Sequence, residues 1–421
     1  MIKLGSEEIV HKKRILFVGE TVTLAHFARP YVLLSSLPKE DFEIHFAFGE
    51  QYKKYIEYGH IETHSLNTIS GSSFMDALAH GRPAYDNKTL RSYVESDREL
   101  IRLTQPDFVV ADFRLSIHTA CQLEKVPCAM ISNIQWSPSA IIPEFPCPEL
   151  SFFSWLKPFP MGLTQILFNI GRSGGFNAIL SPINEMRQTY ALAPYSSLQE
   201  AYTAGDFTFY ADSPGFYATT QMPLHHSYLG PILWSPRVPV PDWWQELDRI
   251  PQKKIYVTMG SSGSLNVLAN IVDIMKDFPA QFVFSAAGRV NLEDLPSNCF
   301  AADFLPGDLA VHATDFVICN GGSSTAHQAL ASGKPILGIP SNLDQCLSMQ
   351  AICKMGAGLS VRADRATKER LRSLLEELVR SPRYAVKAQE IQKLYRAWNA
   401  NDHFQKFLHN FFGTKSIAKI N

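Results

Sequence analysis

Short apolar runs alternate with helix-length segments along this chain, and that alternation leaves few folds open. Arg14–Val18 reads as a strand closed by Gly19, and after the loop Glu20–His26 the segment Phe27–Leu37 reads as a helix. Glu43–Phe48, Asp107–Ala111 and Val126–Ile131 read as further strands, with Asn87–Thr104 and Ile117–Glu124 as the helices before the last two. Strands joined through helices in this way imply a parallel sheet. Phe207–Tyr210 is expected to close it. The stretch Gly230–Pro251 is dense in proline and reads as a linker. The pattern then restarts with Lys254–Thr258, the helix Leu265–Met275, and strands at Gln281–Ser285, Asn298–Ala302, Phe316–Cys319 and Ile336–Ile339. Two Rossmann-like α/β domains facing a cleft are expected, residues 1–230 and 252–400, with 231–251 between them.

The second of these domains holds the most explicit chemistry. The strand Phe316–Cys319 stops at Asn320-Gly321-Gly322-Ser323-Ser324-Thr325, where paired glycines allow a sharp turn and close approach of a ligand. Ser324 or Thr325 is expected to cap the helix Ala326–Ala331. A helix start carries roughly half a positive charge and several unpaired amides, enough to hold a pyrophosphate without a lysine. One strand later, Asp344-Gln345 offers a carboxylate and an amide beside that site, a combination suited to sugar hydroxyls. The plainer alternative is a βαβ unit with a tight turn and no ligand.

In the first domain His26 follows strand one and Asp112 follows Phe108–Ala111, so both belong to the carboxyl edge of one sheet. A neutral imidazole oriented by a carboxylate takes a proton from a hydroxyl. The alternative is a solvated histidine and an aspartate that caps a helix. Leu150–Tyr190 breaks the rhythm with an apolar, aromatic stretch suited either to a pocket for a hydrophobic alcohol or to core and membrane-surface contacts. Asn133 and Trp136 are weaker pocket candidates.

The stretch Asp315–Gln345 resembles the donor-binding box of the family 1 glycosyltransferases, inverting GT-B enzymes that include flavonoid, macrolide and glucuronosyl transferases. Phe304 and Pro306 stand where that box begins, Ser324 and Thr325 on its phosphate-binding pair, and Asp344-Gln345 on its sugar-contacting pair. Two positions depart: Asn320 replaces the usual phosphate-binding histidine, and Gln328 the glutamate that grips the ribose hydroxyls. Thr23–Pro30 resembles the segment carrying the catalytic histidine, with Ala25 for the usual glycine and the proline offset by one. Ala111-Asp112-Phe113 resembles the segment of the activating aspartate, and Ser261 the phosphate-facing residue of the turn Met259–Gly263. Arg289 is a further cation expected near it.

The resemblance implies a GT-B fold whose last helix, within 401–421, returns to the first domain. It implies His26 and Asp112 as catalytic residues, and Ser261, Phe304, Asn320, Gly321, Gly322, Ser324, Thr325, Gln328, Asp344 and Gln345 around the donor. The activity implied is transfer, with inversion, from a UDP or dTDP sugar to a hydroxyl of a small, hydrophobic acceptor, a lipid or natural product. No D-x-D triplet occurs, so no metal or other cofactor is expected. A nucleotide-sugar epimerase of the same architecture and a catalytically silent nucleotide-sugar or lipid-binding protein are the other readings.

Composition narrows the classes further. Lys+Arg of 39 against Asp+Glu of 40 creates no basic field for nucleic acid. Gly19–Leu24 has one glycine where a dinucleotide fingerprint needs three, which argues against NAD or FAD. Seven cysteines without a C-x-x-C pair argue against a disulfide framework or zinc site and fit the cytoplasm. No run reaches about 18 apolar residues, so a peripheral membrane contact is the most that is expected.

Overall fold

A computed structural model describes residues 12–57, 59–151, 160–260, 265–286 and 290–418. β1 (Lys13–Gly19), β2 (Phe42–Phe48), β3 (Ile61–Ser65), β4 (Phe108–Asp112), β5 (Cys128–Ser132), β6 (Phe207–Tyr210) and β7 (His226–Tyr228) form one sheet in the order β3-β2-β1-β4-β5-β6-β7. Every pairing in it is parallel. Phe207–Tyr210 therefore does not close the sheet: the three-residue β7, too short to register as an apolar run, pairs beyond it. β3 was also not foreseen, because Ile61-Glu62-Thr63-His64-Ser65 carries one apolar residue.

The second sheet comprises β8 (Lys254–Thr258), β9 (Gln281–Ser285), β10 (Cys299–Ala302), β11 (Phe316–Cys319), β12 (Ile336–Gly338) and β13 (Gly358–Ser360), ordered β10-β9-β8-β11-β12-β13 and again parallel. In each sheet the strand order reverses at the first strand's neighbour, β1 beside β4 and β8 beside β11. A crevice opens at such a point beyond the carboxyl ends of the strands.

Helices cover both faces. α1 (Leu24–Ser35), α2 (Gly71–Ala79), α3 (Asn87–Thr104), α4 (Ile117–Glu124), α5 (Met161–Thr189) and α6 (Leu198–Tyr202) belong to the first half. α7 (Leu265–Met275), α8 (Gly307–His312), α9 (Ser323–Ala331), α10 (Leu343–Lys354), α11 (Lys368–Arg380) and α12 (Pro382–Arg396) belong to the second. α13 (Ala400–Ala418) crosses back, burying Phe404 and Leu408 in the core of the first sheet with Phe17, Phe108 and Phe209. Gly230 makes that crossing possible: at φ +102 it lies so close to Trp398 that a Cβ would stand 2.5 Å from the Trp398 carbonyl.

Candidate functional site

α1 begins three residues earlier than its periodicity predicts, which brings His26 into the first helical turn. Pro30 lies inside the helix, so the His26 carbonyl has no i+4 amide to accept. Gly19 lets that carbonyl approach the end of β1, since a Cβ there would stand 2.7 Å from it. Because β1 pairs with β4 and Gly19 is in register with Asp112, the histidine and the aspartate meet. His26 Nδ1 lies 2.8 Å from Asp112 Oδ1, and Asp112 is fully buried.

Two partners of this pair were not foreseen. Arg29, one turn beyond His26 on the same face of α1, donates to Asp112 Oδ1 at 2.8 Å and to Asn133 Oδ1 at 2.7 Å, and its Nε lies 2.6 Å from Asp112 Oδ2. The i, i+3 spacing was the available signal. Phe113 adopts a left-handed φ of 55° and stacks on the His26 ring, centroids 4.7 Å apart and planes 10° from parallel. Arg114 next to it is wholly buried, donating from Nη1 to Glu20 at 2.8 Å and from Nε to Asp97 at 3.1 Å. Two carboxylates sharing one guanidinium leave an excess negative charge out of water, and burial raises the Glu20 carboxyl from its ordinary 4.5 to about 7.

The second domain repeats the geometry. Asn320 follows β11 as Asp112 ends β4, and Cys319 is in register with Thr258 at the end of β8. Neither Ser324 nor Thr325 caps α9. The cap position is Gly322, which has no side chain to offer, so the amides of Ser323, Ser324 and Thr325 begin the helix uncapped. The amide of Gly322 is engaged by Asn320 Oδ1 at 3.1 Å. Gly321 serves the turn rather than the ligand: its φ is +76 and a Cβ would stand 2.5 Å from Met349.

Three more donor-box residues have local duties. Gln328 Nε2 donates to the Trp234 carbonyl at 2.5 Å, tying α9 to the interdomain segment. Gln345 forms a capping box with Asn342, its Oε1 accepting from the Ser341 amide at 2.9 Å. Asp344 Oδ1 accepts from Trp136 Nε1 at 2.8 Å and Gln135 Nε2 at 3.2 Å, both from the first domain. Ser261 and Arg289 lie outside the described residues.

The two halves enclose a cavity of about 800 Å³. His26, Arg29 and Asp112 line one side, and Phe304, Asn320, Gly322, Ser323, Ser324, Thr325, Gln328, Asp344 and Gln345 the other. Its first-domain wall is largely apolar, with Phe74, Phe113, Trp136, Phe168, Phe176 and Tyr202. The long helix α5, one continuous element despite Pro182, supplies Phe168 and Phe176. Behind the cavity a buried chain of side chains joins the domains. Asn133 Nδ2 donates to Asp212 at 3.1 Å, Asp212 pairs with His327 of α9 at 3.1 Å, and His327 Nδ1 lies 2.7 Å from the Tyr395 hydroxyl.

Two Rossmann-like domains with their reversal points facing one cleft, and a last helix returned to the first domain, define a GT-B architecture. Residues 266–397 match the family described as "Erythromycin biosynthesis protein CIII-like, C-terminal domain". The chain is 36% identical over 390 residues to a PGL/p-HBAD biosynthesis glycosyltransferase of Mycobacterium tuberculosis, covering 92% of this chain and 90% of that one. It is 36% identical over 376 residues to a PGL/p-HBAD biosynthesis rhamnosyltransferase of Mycobacterium bovis, covering 89% and 82%. The glycosyltransferase VinC in complex with dTDP shares the fold, with TM-score 0.63 and 18% identity over 94% of this chain and 98% of that one. The chain belongs to the glycosyltransferase family that contains these two mycobacterial proteins.

Proposed function

We propose that this protein transfers a sugar from a UDP or dTDP sugar to a hydroxyl of an apolar, aromatic or lipid-like acceptor, with inversion at the anomeric carbon. One juxtaposition carries the reading: the His26–Asp112 pair and the uncapped start of α9 line the same cavity from opposite domains. His26 takes the acceptor proton through Nε2 while Nδ1 faces Asp112. The acceptor oxygen then attacks the anomeric carbon as the bond to the diphosphate breaks. The amides of Ser323, Ser324 and Thr325, with the helix dipole, receive the charge on the leaving diphosphate, so the step needs no metal.

The apolar first-domain wall supports an apolar acceptor. So do Leu163, Ile166 and Ile170, exposed at helical spacing on α5, a surface suited to a peripheral membrane contact. Among the described residues no helix is long and apolar enough to cross a membrane. The seven cysteines are free, which supports a reducing compartment such as the cytoplasm.

An epimerase would call for additional acid–base carboxylates around the sugar. Among the described residues the carboxylates lining the cavity are Asp112 and Asp344, and both are held by hydrogen bonds. The test is incubation with α-linked, radiolabelled dTDP and UDP sugars and a panel of phenols and long-chain alcohols. A β-linked product, identified by its anomeric proton coupling, is expected. An isomerised nucleotide sugar, a product with retained configuration, or binding without turnover would each defeat the proposal.

A further inference from the structure

At the outer edge of the first sheet, away from the cleft, His45 of β2 and Glu62 and His64 of β3 converge. Register explains the meeting: His45 pairs with Glu62 and Ala47 with His64, so the side chains stand on one face of adjacent parallel strands. His45 Nδ1 lies 3.1 Å from His64 Nε2 and 3.6 Å from Glu62 Oε2, and His64 Nε2 lies 3.9 Å from Glu62 Oε1. None of the three lines the cavity.

We propose that His45, His64 and Glu62 bind a divalent transition metal, Zn²⁺ being the best match, that fastens the edge strand β3 to β2. Two nitrogen donors at about 2.05 Å from a tetrahedral ion stand about 3.3 Å apart, close to the spacing the two imidazoles already have. The outer contact supports the same assignment. His45 Nε2 lies 3.2 Å from Glu43 Oε1, so Nε2 carries the proton and Nδ1 presents its lone pair to the other ligands. A carboxylate behind a ligating imidazole is the usual way such a ring is oriented and made more basic. His45 is buried and fixed, while the Glu62 side chain, 66% exposed, is free to swing onto the ion. Two imidazoles and a carboxylate favour zinc, nickel or copper over magnesium and calcium, and a fourth position is left for water.

The site would reach the cleft through the chain. β3 is an edge strand, paired on one side only, and leads to Asn67, whose carbonyl accepts from Arg114, and then to α2, which supplies Phe74, Met75 and Leu78 to the cavity wall. A metal clamp on β3 steadies that wall.

The test is calorimetric titration of EDTA-treated, tag-free full-length protein with ZnCl2, with melting followed in parallel. One saturating event and a raised Tm are expected with zinc, and neither with MgCl2. Glu43→Gln should weaken zinc binding roughly 10–100-fold as an outer partner, and His64→Ala should weaken it further. Glu43 is half exposed and His64 lies on the edge strand, and circular dichroism matching wild type shows that the variants are folded. No saturable zinc binding, or a folded His64→Ala protein that binds zinc as wild type does, overturns the proposal.

Discussion

His26 and Arg29 both address one oxygen of Asp112, and this sharing decides what substitutions there do. His26→Ala should lower turnover by roughly 10²–10⁴-fold in a steady-state assay. Diphosphate affinity, measured by calorimetry, should stay unchanged, since the donor amides belong to the other domain. Asp112→Asn should lower turnover and also stability, because it leaves Arg29 as a buried cation without its counter-charge, a loss of about 3–5 kcal/mol in chemical denaturation. The double variant should be no slower than the slower single one, since the two residues act as a unit. Glu20 behaves differently. Its carboxyl is raised to about 7 by burial against an ordinary 4.5, so between those values the folded chain holds a proton that the unfolded chain has released. Its contribution to stability is therefore lost as pH rises through that window and is constant above it. Glu20→Gln, compared with wild type by thermal melting at pH 5 and pH 7.5, should remove that part of the decline; an identical pH dependence in the two proteins would contradict it.

The turn between β11 and α9 separates two glycines that look alike in sequence. Gly321 sits at a positive φ with Met349 behind it, so Gly321→Ala should destabilise the whole protein, visible as a lower Tm. Gly322 has an ordinary φ of −64°, and the nearest atom to a Cβ there is Asn320 Oδ1 at 3.3 Å. Gly322→Val should therefore melt near wild type but lose diphosphate binding, because its side chain enters the space before the three open amides. Equal diphosphate affinity in wild type and Gly322→Val would move the phosphate away from α9. Helix α1 shows the same division of labour. Periodicity located it, while Pro30 and Gly19 together set where its first turn, and hence His26, comes to lie.

Across the whole molecule, the polar contacts between the two domains include Asp344 with Trp136 and Gln135, Tyr217 with the Leu347 carbonyl, Arg362 with the Cys147 carbonyl, and Asp212 with His327. His327 is one residue before Gln328 on the donor helix, and Asp212 connects through Asn133 to Arg29, so the base and the phosphate site share one buried scaffold. His327→Ala leaves Asp212 short of a partner, a cost of about 1–3 kcal/mol. The variant should lose turnover through misalignment of the halves while its affinity for free diphosphate, measured by calorimetry, stays within about threefold. Unchanged turnover in that variant would show that the link is structural only.

The strand–helix alternation, the glycine turn at the start of α9 and the pairing of His26 with Asp112 were legible in the sequence because each is encoded locally, by periodicity, by a residue type or by position after a strand. α3 and α4 have the boundaries their apolar spacing predicts. The short strands β3 and β7 were not legible, since both are edge strands and bury few apolar residues. Nor were Arg29, Asp212 and His327 as site partners: Arg29 is marked only by its i, i+3 spacing from His26, and the bond between Asp212 and His327 joins residues 115 apart that carry no local signature. The same holds for Gln328, a departure from the glutamate of the resembled box, and for Gln345, one of its sugar-contacting pair: the hydrogen bonds they make are to a backbone carbonyl and within a helix cap. Local chemistry selected which groups this chain can present; the packing of two domains across one cavity decided which of them face the cleft and which hold it in shape.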